Sequence, residues 1–287
     1  MSTFTLAGHR VGRVGYGAMQ LPGPGVFGPP RDHDEAVRVL RRVVELGIDH
    51  IDTSQFYGPN VSNELIKEAL HPYADDLVIV SKVGAVRGPS GEWLPAQRPD
   101  QLVAAVRENL VTLDVERLPV VNLRVMPVDE IGEENACPLE EQLGAMQGLV
   151  EAGELEAFGV SNVSTEQARV ALDAGAVCVQ NAYNLLMRDD DATLELCRER
   201  GVAYVPFFPL GSAFEHLPKV GDDRAVQRMA AERGVTPAQV GLAWLLARAE
   251  NVLLIPGTSS IAHLEENTAA RDVTLTDDDL VTLNALR

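Results

Sequence analysis

The stretch LVIVSK at residues 77–82 is apolar for four positions and then ends in Ser81 and Lys82. A continuous apolar run of this kind is typical of a strand buried on both faces in a parallel sheet. Comparable β-branched runs lie at residues 11–17, 48–52, 119–123, 155–161, 177–180, 202–206 and 251–255. The sequence therefore predicts about eight buried strands.

Amphipathic stretches of helical period lie between these runs. They cover residues 34–46, 61–70, 98–113, 138–152, 165–174, 190–200 and 222–233. Several are followed by glycine where a helix C-cap is expected, as at Gly47, Gly201 and Gly234. Strand–helix alternation repeated about eight times predicts an α/β fold, a single (β/α)8 TIM barrel, and a doubly wound open sheet is the alternative.

Both ends of the chain add to the predicted barrel. Residues 3–11 (TFTLAGHRV) predict a short N-terminal β-hairpin that turns near Gly8, and residues 276–286 predict an extra C-terminal helix with Thr276 as its N-cap. Because no linker interrupts the pattern, we expect residues 1–287 to form one domain. The loops at residues 22–30, 84–97, 127–137 and 212–221 are expected to shape the pocket.

The composition excludes several classes of protein. The 287 residues include 24 basic and 42 acidic side chains, a net charge of −18, and the lysines and arginines form no cluster. This balance argues against binding nucleic acid or an anionic membrane surface. Three cysteines without CxxC spacing suggest neither a disulfide framework nor a zinc site. Without a signal peptide or a long apolar run, we expect a cytoplasmic protein, for which a monomer is plausible.

Polar residues close most of the predicted strands. They are Asp52, Lys82, Arg124, Ser161 with Asn162, Gln180 with Asn181, and Thr258 to Ser260. The carboxyl ends of barrel strands form the catalytic face of this fold. One such residue would commonly be a strand-end cap, but six strands ending in this way predict a functional rim.

The most informative of these residues is Lys82. An ammonium group at the end of an apolar strand is costly unless it is paired, and Asp52 on the neighbouring strand is its expected partner. Tyr57 follows Asp52 in the loop HIDTSQFYG, at residues 50–58. A phenol has an ordinary pKa of about 10, and a neighbouring ammonium lowers it. We therefore expect Tyr57 to serve as an acid near neutral pH; the alternative is a structural ion pair beside a loop aromatic.

These segments resemble the aldo-keto reductase family. The resemblance rests on HIDTSQFYG, on the lysine in IVSKVG, on GVSN at residues 159–162, VQNAYN at 179–184, FFPLG at 207–211 and IPGTSS with HLEEN at 255–267. It implies the same barrel and an NAD(P)H-dependent oxidoreductase that reduces an aldehyde or ketone or oxidises an alcohol. PFFPLG, VVNLRVM and IPGTSS are most similar to bacterial members grouped with pyridoxal reductases and pyridoxine dehydrogenases.

The resemblance also implies a role for each site residue. Tyr57 would protonate the carbonyl oxygen, Lys82 would lower its pKa, and Asp52 would hold Lys82. The implied cofactor contacts are Gly17, Met19, Ser161, Asn162, Gln180, Phe207, Leu210, Gly257, Thr258, Ser259, Ser260, His263, Glu266 and Asn267. Among them, Ser161, Asn162 and Gln180 would bind the nicotinamide carboxamide and Phe207 would stack on its ring. Thr258, Ser259 and Ser260 would bind phosphate at a helix N-terminus, although they could simply cap that helix.

Two positions depart from the family pattern. Many members have histidine where this chain has Arg124, and we expect Arg124 to polarise the carbonyl or bind an anionic group; alternatively it turns away into a structural ion pair. Gly257 and His263 stand where NADPH-specific relatives carry basic residues. We still expect NADPH, with NADH possible, because the hydroxyls after Gly257 remain.

Two further hypotheses remain open. The loss of the histidine favours a nicotinamide-binding sensor barrel with little turnover. The other hypothesis is an aldolase that uses Lys82 as a Schiff-base nucleophile, which the pairing with Asp52 disfavours.

Overall fold

The computed structural model describes residues 2–211 and 218–286. The strands are β1 (Thr3–Leu6), β2 (His9–Gly12), β3 (Tyr16–Gly17), β4 (His50–Asp52), β5 (Val78–Val83), β6 (Ala85–Arg87), β7 (Trp93–Pro95), β8 (Leu118–Arg124), β9 (Leu155–Ser161), β10 (Cys178–Gln180) and β11 (Ala203–Tyr204). Seven of these strands form one parallel sheet in the order β11-β10-β9-β8-β5-β4-β3. The two outer strands of this sheet, β11 and β3, are brought together by a further segment.

Residues 252–257 lie between β11 and β3 and close the ring. Val252 pairs in parallel with Tyr204 of β11, and Leu254 pairs in parallel with Val14, just before β3. The segment forms isolated bridges rather than a regular ladder. It is nevertheless the eighth strand, so the predicted (β/α)8 barrel is confirmed, and the open-sheet alternative, which needs two free edges, is wrong.

Helices surround the ring, close to the predicted positions. They are α1 (His33–Glu45), α2 (Val61–Leu70), α3 (Pro99–Leu113), α4 (Val128–Ile131), α5 (Leu139–Glu151), α6 (Thr165–Asp173), α7 (Asp191–Arg200), α8 (Arg224–Arg233), α9 (Pro237–Arg248), α10 (Ile261–Ala269) and α11 (Asp277–Asn284). Gly201 and Gly234 follow α7 and α8 with φ of 66° at each, the left-handed C-cap that their sequence positions predict.

The N-terminal hairpin covers one end of the barrel. Strands β1 and β2 pair antiparallel, and the turn between them is Ala7-Gly8 with positive φ at both residues. Leu6 and Val11 of the hairpin pack with residues from the amino ends of the barrel strands, such as Val78 and Ala203. The opposite end, where the strands finish, is therefore the one left for a site.

Three features differ from the sequence-based prediction or extend it. Residues 11 and 12 belong to the hairpin rather than to the first barrel strand, because they pair with β1. The loop at 84–97 contains a hairpin of its own, β6–β7. Residues 212–217 of the last predicted loop lie outside the described residues. At the C-terminus, α11 has Thr276 as its N-cap, as predicted.

None of the helices within residues 2–211 and 218–286 combines the length and the apolar character that crossing a bilayer requires.

Candidate active site

Three strand ends bring Asp52, Lys82 and Gln180 into one buried group. Lys82 Nζ donates to Asp52 Oδ1 and, at 3.3 Å, to the carbonyl of Thr53. Gln180 Nε2 donates to the other oxygen, Asp52 Oδ2, at 2.9 Å. None of the three residues is more than 5% exposed. Both oxygens of the carboxylate are therefore held, and the expected pairing of Asp52 with Lys82 is confirmed.

Tyr57 lies beside this group, in the loop that leads from β4 to α2. Its ring centroid is 5.1 Å from Lys82 Nζ, and the residue is 4% exposed. The ring also makes an edge-to-face contact with Phe56, the centroids being 5.3 Å apart. The phenol and the ammonium group are thus neighbours, as the sequence predicts.

The expected direction of the pKa shift of Tyr57 is wrong. Burial raises the pKa of Tyr57 above its ordinary value, and Asp52 adds to this, whereas the charges of Lys82 and Arg124 pull it down without cancelling the rise. The cause is desolvation, which disfavours the phenolate more than one paired ammonium stabilises it. Tyr57 is therefore protonated at neutral pH, the state that a proton donor requires.

Lys82 remains charged despite its burial. Burial by itself would lower the pKa of Lys82, but the carboxylate of Asp52 and the phenol of Tyr57 raise it above its ordinary value. A lysine that stays protonated cannot act as a Schiff-base nucleophile, so this pairing argues against the aldolase hypothesis.

A cavity of about 540 Å³ opens above these residues at the carboxyl ends of the strands. Many of the residues that the sequence predicts for the site line it: Gly17, Met19, Asp52, Tyr57, Lys82, Arg124, Ser161, Asn162, Gln180, Phe207, Leu210 and Gly257. Residues from the ends of all eight barrel strands, or from the loops that follow them, thus converge on one space. This is the usual arrangement of a barrel active site.

Two polar atoms at this cavity lack partners. Ser161 Oγ and Gln180 Oε1 are buried and make no hydrogen bond in the described structure. Together they offer a hydroxyl that can donate and a carbonyl oxygen that can accept. This is the pair that a carboxamide requires, so the site fits the amide of a nicotinamide ring. The side chain of Asn162 already has one hydrogen-bond partner, since its Nδ2 donates to the carbonyl of Val125 at 2.9 Å.

A second cavity of about 450 Å³ adjoins the first. The two share Met19, Gln20, Trp93 and Phe208, and the second extends to Ser259. The walls of the two adjoining cavities therefore extend from Asp52 in the barrel to Ser259, in the segment before α10.

Five of the predicted cofactor contacts line neither cavity: Thr258, Ser260, His263, Glu266 and Asn267. Thr258 Oγ1 accepts from the N–H of Ser260 at 3.1 Å, a local capping contact. Glu266 Oε1 accepts from the hydroxyl of Thr236, the N-cap of α9, at 2.5 Å. Glu266 thus has a structural partner that the sequence did not indicate. The cofactor role of all five residues stays a prediction.

Arg124 ends β8 and lines the catalytic cavity. Its Cζ lies 6.0 Å from the centroid of Phe207, and it forms no salt bridge with any residue in the described ranges. Burial lowers the pKa of Arg124, opposed by the charges of Tyr57 and Glu130, but a guanidinium remains protonated in proteins. Within the described residues Arg124 thus lines the cavity without a salt bridge, and its contact with the substrate stays a prediction. Arg124 presents a fixed positive charge next to Tyr57.

Sequence reasoning missed several residues of the cavity wall. Phe56, Trp93, Met126, Glu130, Met187 and Phe208 all contribute to it. Phe56 directly precedes Tyr57, and Phe208 directly follows Phe207. Their position next to predicted site residues is the sequence signal that could have indicated them. Trp93 lies in the loop at residues 84–97, which the sequence predicts to shape the pocket, and it lines the cavity.

A comparison with known families identifies the chain. The model of the aldo/keto reductase family matches residues 13–287. The chain belongs to this family. Over 286 residues it is 50% identical to pyridoxine 4-dehydrogenase of Escherichia coli, covering 99% of this chain and 98% of the relative. It is also 28% identical to probable aldo-keto reductase 1 of Glycine max, over 95% of this chain and 84% of that protein.

Solved structures of family members have the same fold. A thermostable aldo-keto reductase crystallised with epalrestat superimposes with a TM-score of 0.83 at 30% identity, and each chain is covered completely. An aldo-keto reductase of Klebsiella pneumoniae in complex with NADPH gives 0.81 at 26% identity, over 99% of this chain and 94% of that one. As an aldo-keto reductase, this protein is an oxidoreductase.

Proposed function

We propose that this aldo-keto reductase uses NADP(H) to interconvert an aldehyde and an alcohol, with Tyr57 as the proton donor. The observation that carries the proposal is the phenol of Tyr57 beside the Lys82–Asp52 pair, in a cavity where Ser161 Oγ and Gln180 Oε1 lack partners. The complex of the Klebsiella pneumoniae relative with NADPH supports the choice of cofactor.

Each residue of the site has its own role in the reaction. A bound nicotinamide cofactor supplies hydride for reduction or takes it up in oxidation. Ser161 and Gln180 hold the carboxamide, and Phe207 offers a ring face for stacking. Tyr57 gives its proton to the carbonyl oxygen, and Lys82 stabilises the phenolate that this leaves. In oxidation the same phenolate accepts the proton of the alcohol.

We propose a flat, polar aromatic aldehyde of the pyridoxal type as substrate. The 50% identity to pyridoxine 4-dehydrogenase supports this class, as do the aromatic walls at Phe56 and Trp93. Arg124 would bind an oxygen atom of such a ring, or polarise its aldehyde, in place of the family histidine.

NADPH is proposed in preference to NADH, because Ser259 and Ser260 stand before α10, where a helix N-terminus favours phosphate. We also propose that residues 1–287 act as one unit in the cytoplasm, without nucleic-acid partners.

The test is the variant Tyr57→Phe, which keeps the ring and removes the proton. We expect kcat for NADPH-dependent reduction of pyridoxal to fall by roughly 10²–10⁴-fold, the usual contribution of a general acid. The affinity for NADPH, measured by fluorescence titration, should not change. Retention of wild-type kcat would disprove the role of Tyr57.

One alternative function has an observation in its favour. The replacement of the family histidine by Arg124 is compatible with a barrel that binds the cofactor and turns over little. A panel of aldehydes separates the two functions: NADPH oxidation by the wild-type protein supports the enzyme, whereas tight cofactor binding without turnover on any aldehyde supports the sensor.

A further inference from the structure

The hairpin β6–β7 beside the catalytic cavity is held by one arginine. Arg87 Nη1 donates to the carbonyl of Val26 at 2.6 Å, and Nη2 donates to the carbonyl of Gly25 at 2.9 Å. Nε and Nη2 also donate to the carbonyl of Gly91, at 3.1 and 2.6 Å. One guanidinium thus joins the turn of its own hairpin to a loop more than 60 residues away in the sequence.

The faces of the same guanidinium are covered by aromatic rings. Arg87 Cζ lies 4.1 Å from the centroid of Trp93 and 5.3 Å from that of Phe27. Both distances are within the range of a cation–π interaction. Arg87 makes no salt bridge with a residue of the described ranges, and its hydrogen bonds go to backbone carbonyls. Burial lowers the pKa of Arg87, and the charge of Glu92 on the same hairpin opposes this. The planar guanidinium of arginine can stack on an aromatic ring and donate hydrogen bonds in several directions at once, which a lysine ammonium group cannot do.

Trp93 connects this cluster to the reacting centre. It lines both of the adjoining cavities. Its ring packs edge-on against Phe56 with centroids 5.4 Å apart, and Phe56 packs edge-on against Tyr57 at 5.3 Å. A displacement of Trp93 would therefore change the wall next to the proton donor.

The loop held by Arg87 is also joined to the loop of Tyr57. The N–H of Gly28 donates to the carbonyl of Gly58 at 2.7 Å, and the N–H of Gly58 donates to the carbonyl of Val26 at 3.2 Å. Arg87 is thus bonded to a segment that is itself paired with the residue following Tyr57. The contacts run from Arg87 to the proton donor by two routes, through rings and through backbone.

We propose that Arg87 is a positioning residue that fixes Trp93 as the wall of the substrate cavity and thereby sets the KM for flat aromatic aldehydes. This inference rests on the proposed function of Tyr57. Arg87 does not reach the reacting atoms, and its action is through Trp93 and the 25–28 loop. A wall that is rigid before binding costs the substrate less ordering when it enters.

Tryptophan fluorescence tests the positioning directly. The chain has two tryptophans, Trp93 and Trp244, so a Trp244→Phe background leaves Trp93 as the only tryptophan whose fluorescence is measured. In this background we expect Arg87→Gln to increase acrylamide quenching of Trp93 by roughly twofold as the stacking partner is lost. Arg87→Lys should increase it too, because an ammonium group cannot replace the fork. Leu94→Ala, an exposed position on the same hairpin, is the matched control.

Kinetics test the consequence for specificity. We expect Arg87→Gln to raise the KM for pyridoxal by roughly tenfold while kcat changes little, because pre-organisation is lost rather than chemistry. The KM for a small aliphatic aldehyde, which cannot span the aromatic wall, should stay the same. Phe27→Leu, which removes the other ring from Arg87, should act in the same direction and serves if Arg87→Gln does not fold.

The outcomes are distinct. Unchanged quenching and unchanged KM for pyridoxal overturn the proposal, and so does an equal loss of activity on every aldehyde, which indicates a structural role only. If Tyr57→Phe retains activity, the proposed function fails, but the quenching of Trp93 still shows whether Arg87 positions it.

Discussion

The proton donor depends on a balance of charges among a few buried side chains. Desolvation keeps Tyr57 protonated. The ammonium group of Lys82 is close enough to stabilise the phenolate that remains once the proton leaves. Asp52 fixes Lys82, and Gln180 fixes Asp52 from the other side. The group therefore favours a phenol in the resting state and tolerates a phenolate during turnover.

The pH dependence of alcohol oxidation should report this balance. Since Lys82 lowers the pKa of Tyr57, the variant Lys82→Met should raise that pKa further. Oxidation needs the phenolate, so kcat/KM rises with pH through the pKa of Tyr57, and this rise should move to higher pH in the variant. The measurement is kcat/KM for pyridoxine oxidation across pH.

The double variant Lys82→Met with Asp52→Asn is the control, since it also removes the carboxylate that Lys82→Met leaves unpaired. A rise at the same pH in wild type and in both variants would show that Lys82 does not act on Tyr57.

Arg124 should contribute a charged hydrogen bond to the substrate. If so, Arg124→Met should cost about 1.5–3 kcal/mol of transition-state stabilisation, or roughly 10–150-fold in kcat/KM for pyridoxal. Arg124→Lys, which keeps the charge without the planar fork, should recover part of this. Equal kcat/KM for the wild type and Arg124→Met would remove Arg124 from the mechanism.

At the scale of the secondary-structure element, the residues at the ends of strands and helices form the site and cap the helices. The barrel strands end in the side chains of the site. Five helices, α1, α6, α8, α9 and α11, begin at a residue whose side chain accepts a hydrogen bond from a backbone N–H of the first turn. Asp223 is one of these residues: its Oδ1 accepts from the N–H groups of Ala225 and Val226 at the start of α8. Such a cap satisfies donors that the helix itself cannot.

Removal of this cap should destabilise the protein without affecting catalysis. We expect Asp223→Ala to lower the free energy of unfolding by about 1 kcal/mol, the usual value for an N-cap. Asp222→Ala, at the exposed neighbouring carboxylate, should have almost no effect. Urea denaturation of the two variants gives the comparison, and equal stabilities would contradict the capping role.

At the scale of the whole molecule, closing eight strands into a ring leaves little interior space. Gly15 lies where a Cβ would overlap the imidazole ring of His50, which is buried inside the barrel. Gly12, on the nearby hairpin, has room, since a Cβ there would contact Asp49 only at 3.5 Å. The first barrel strand is thus pressed against the second.

Gly15→Ala should therefore overpack the barrel. We expect a loss of about 1–3 kcal/mol in stability, seen as a lower Tm, because a packed interior cannot absorb the added methyl group. Gly12→Ala is the matched control and should stay near wild type. If Gly15→Ala melts at the wild-type temperature, the interior is looser than this packing implies.

The sequence by itself determined the order and type of the barrel elements, the N-terminal hairpin and the C-terminal helix, and the pairing of Asp52 with Lys82. These follow from local periodicity, from capping residues, and from the cost of burying an unpaired charge. The resemblance in short motifs supplied the family and the residues around the cavity.

Only the tertiary structure decided the direction of the pKa shift of Tyr57, the place of Arg124 in the cavity wall and the contact of Arg87 with Trp93. Each depends on how deeply a group is buried and on which distant segments meet it. Desolvation and contacts across more than 60 residues leave no local pattern in a sequence. They can therefore be read only from the folded barrel.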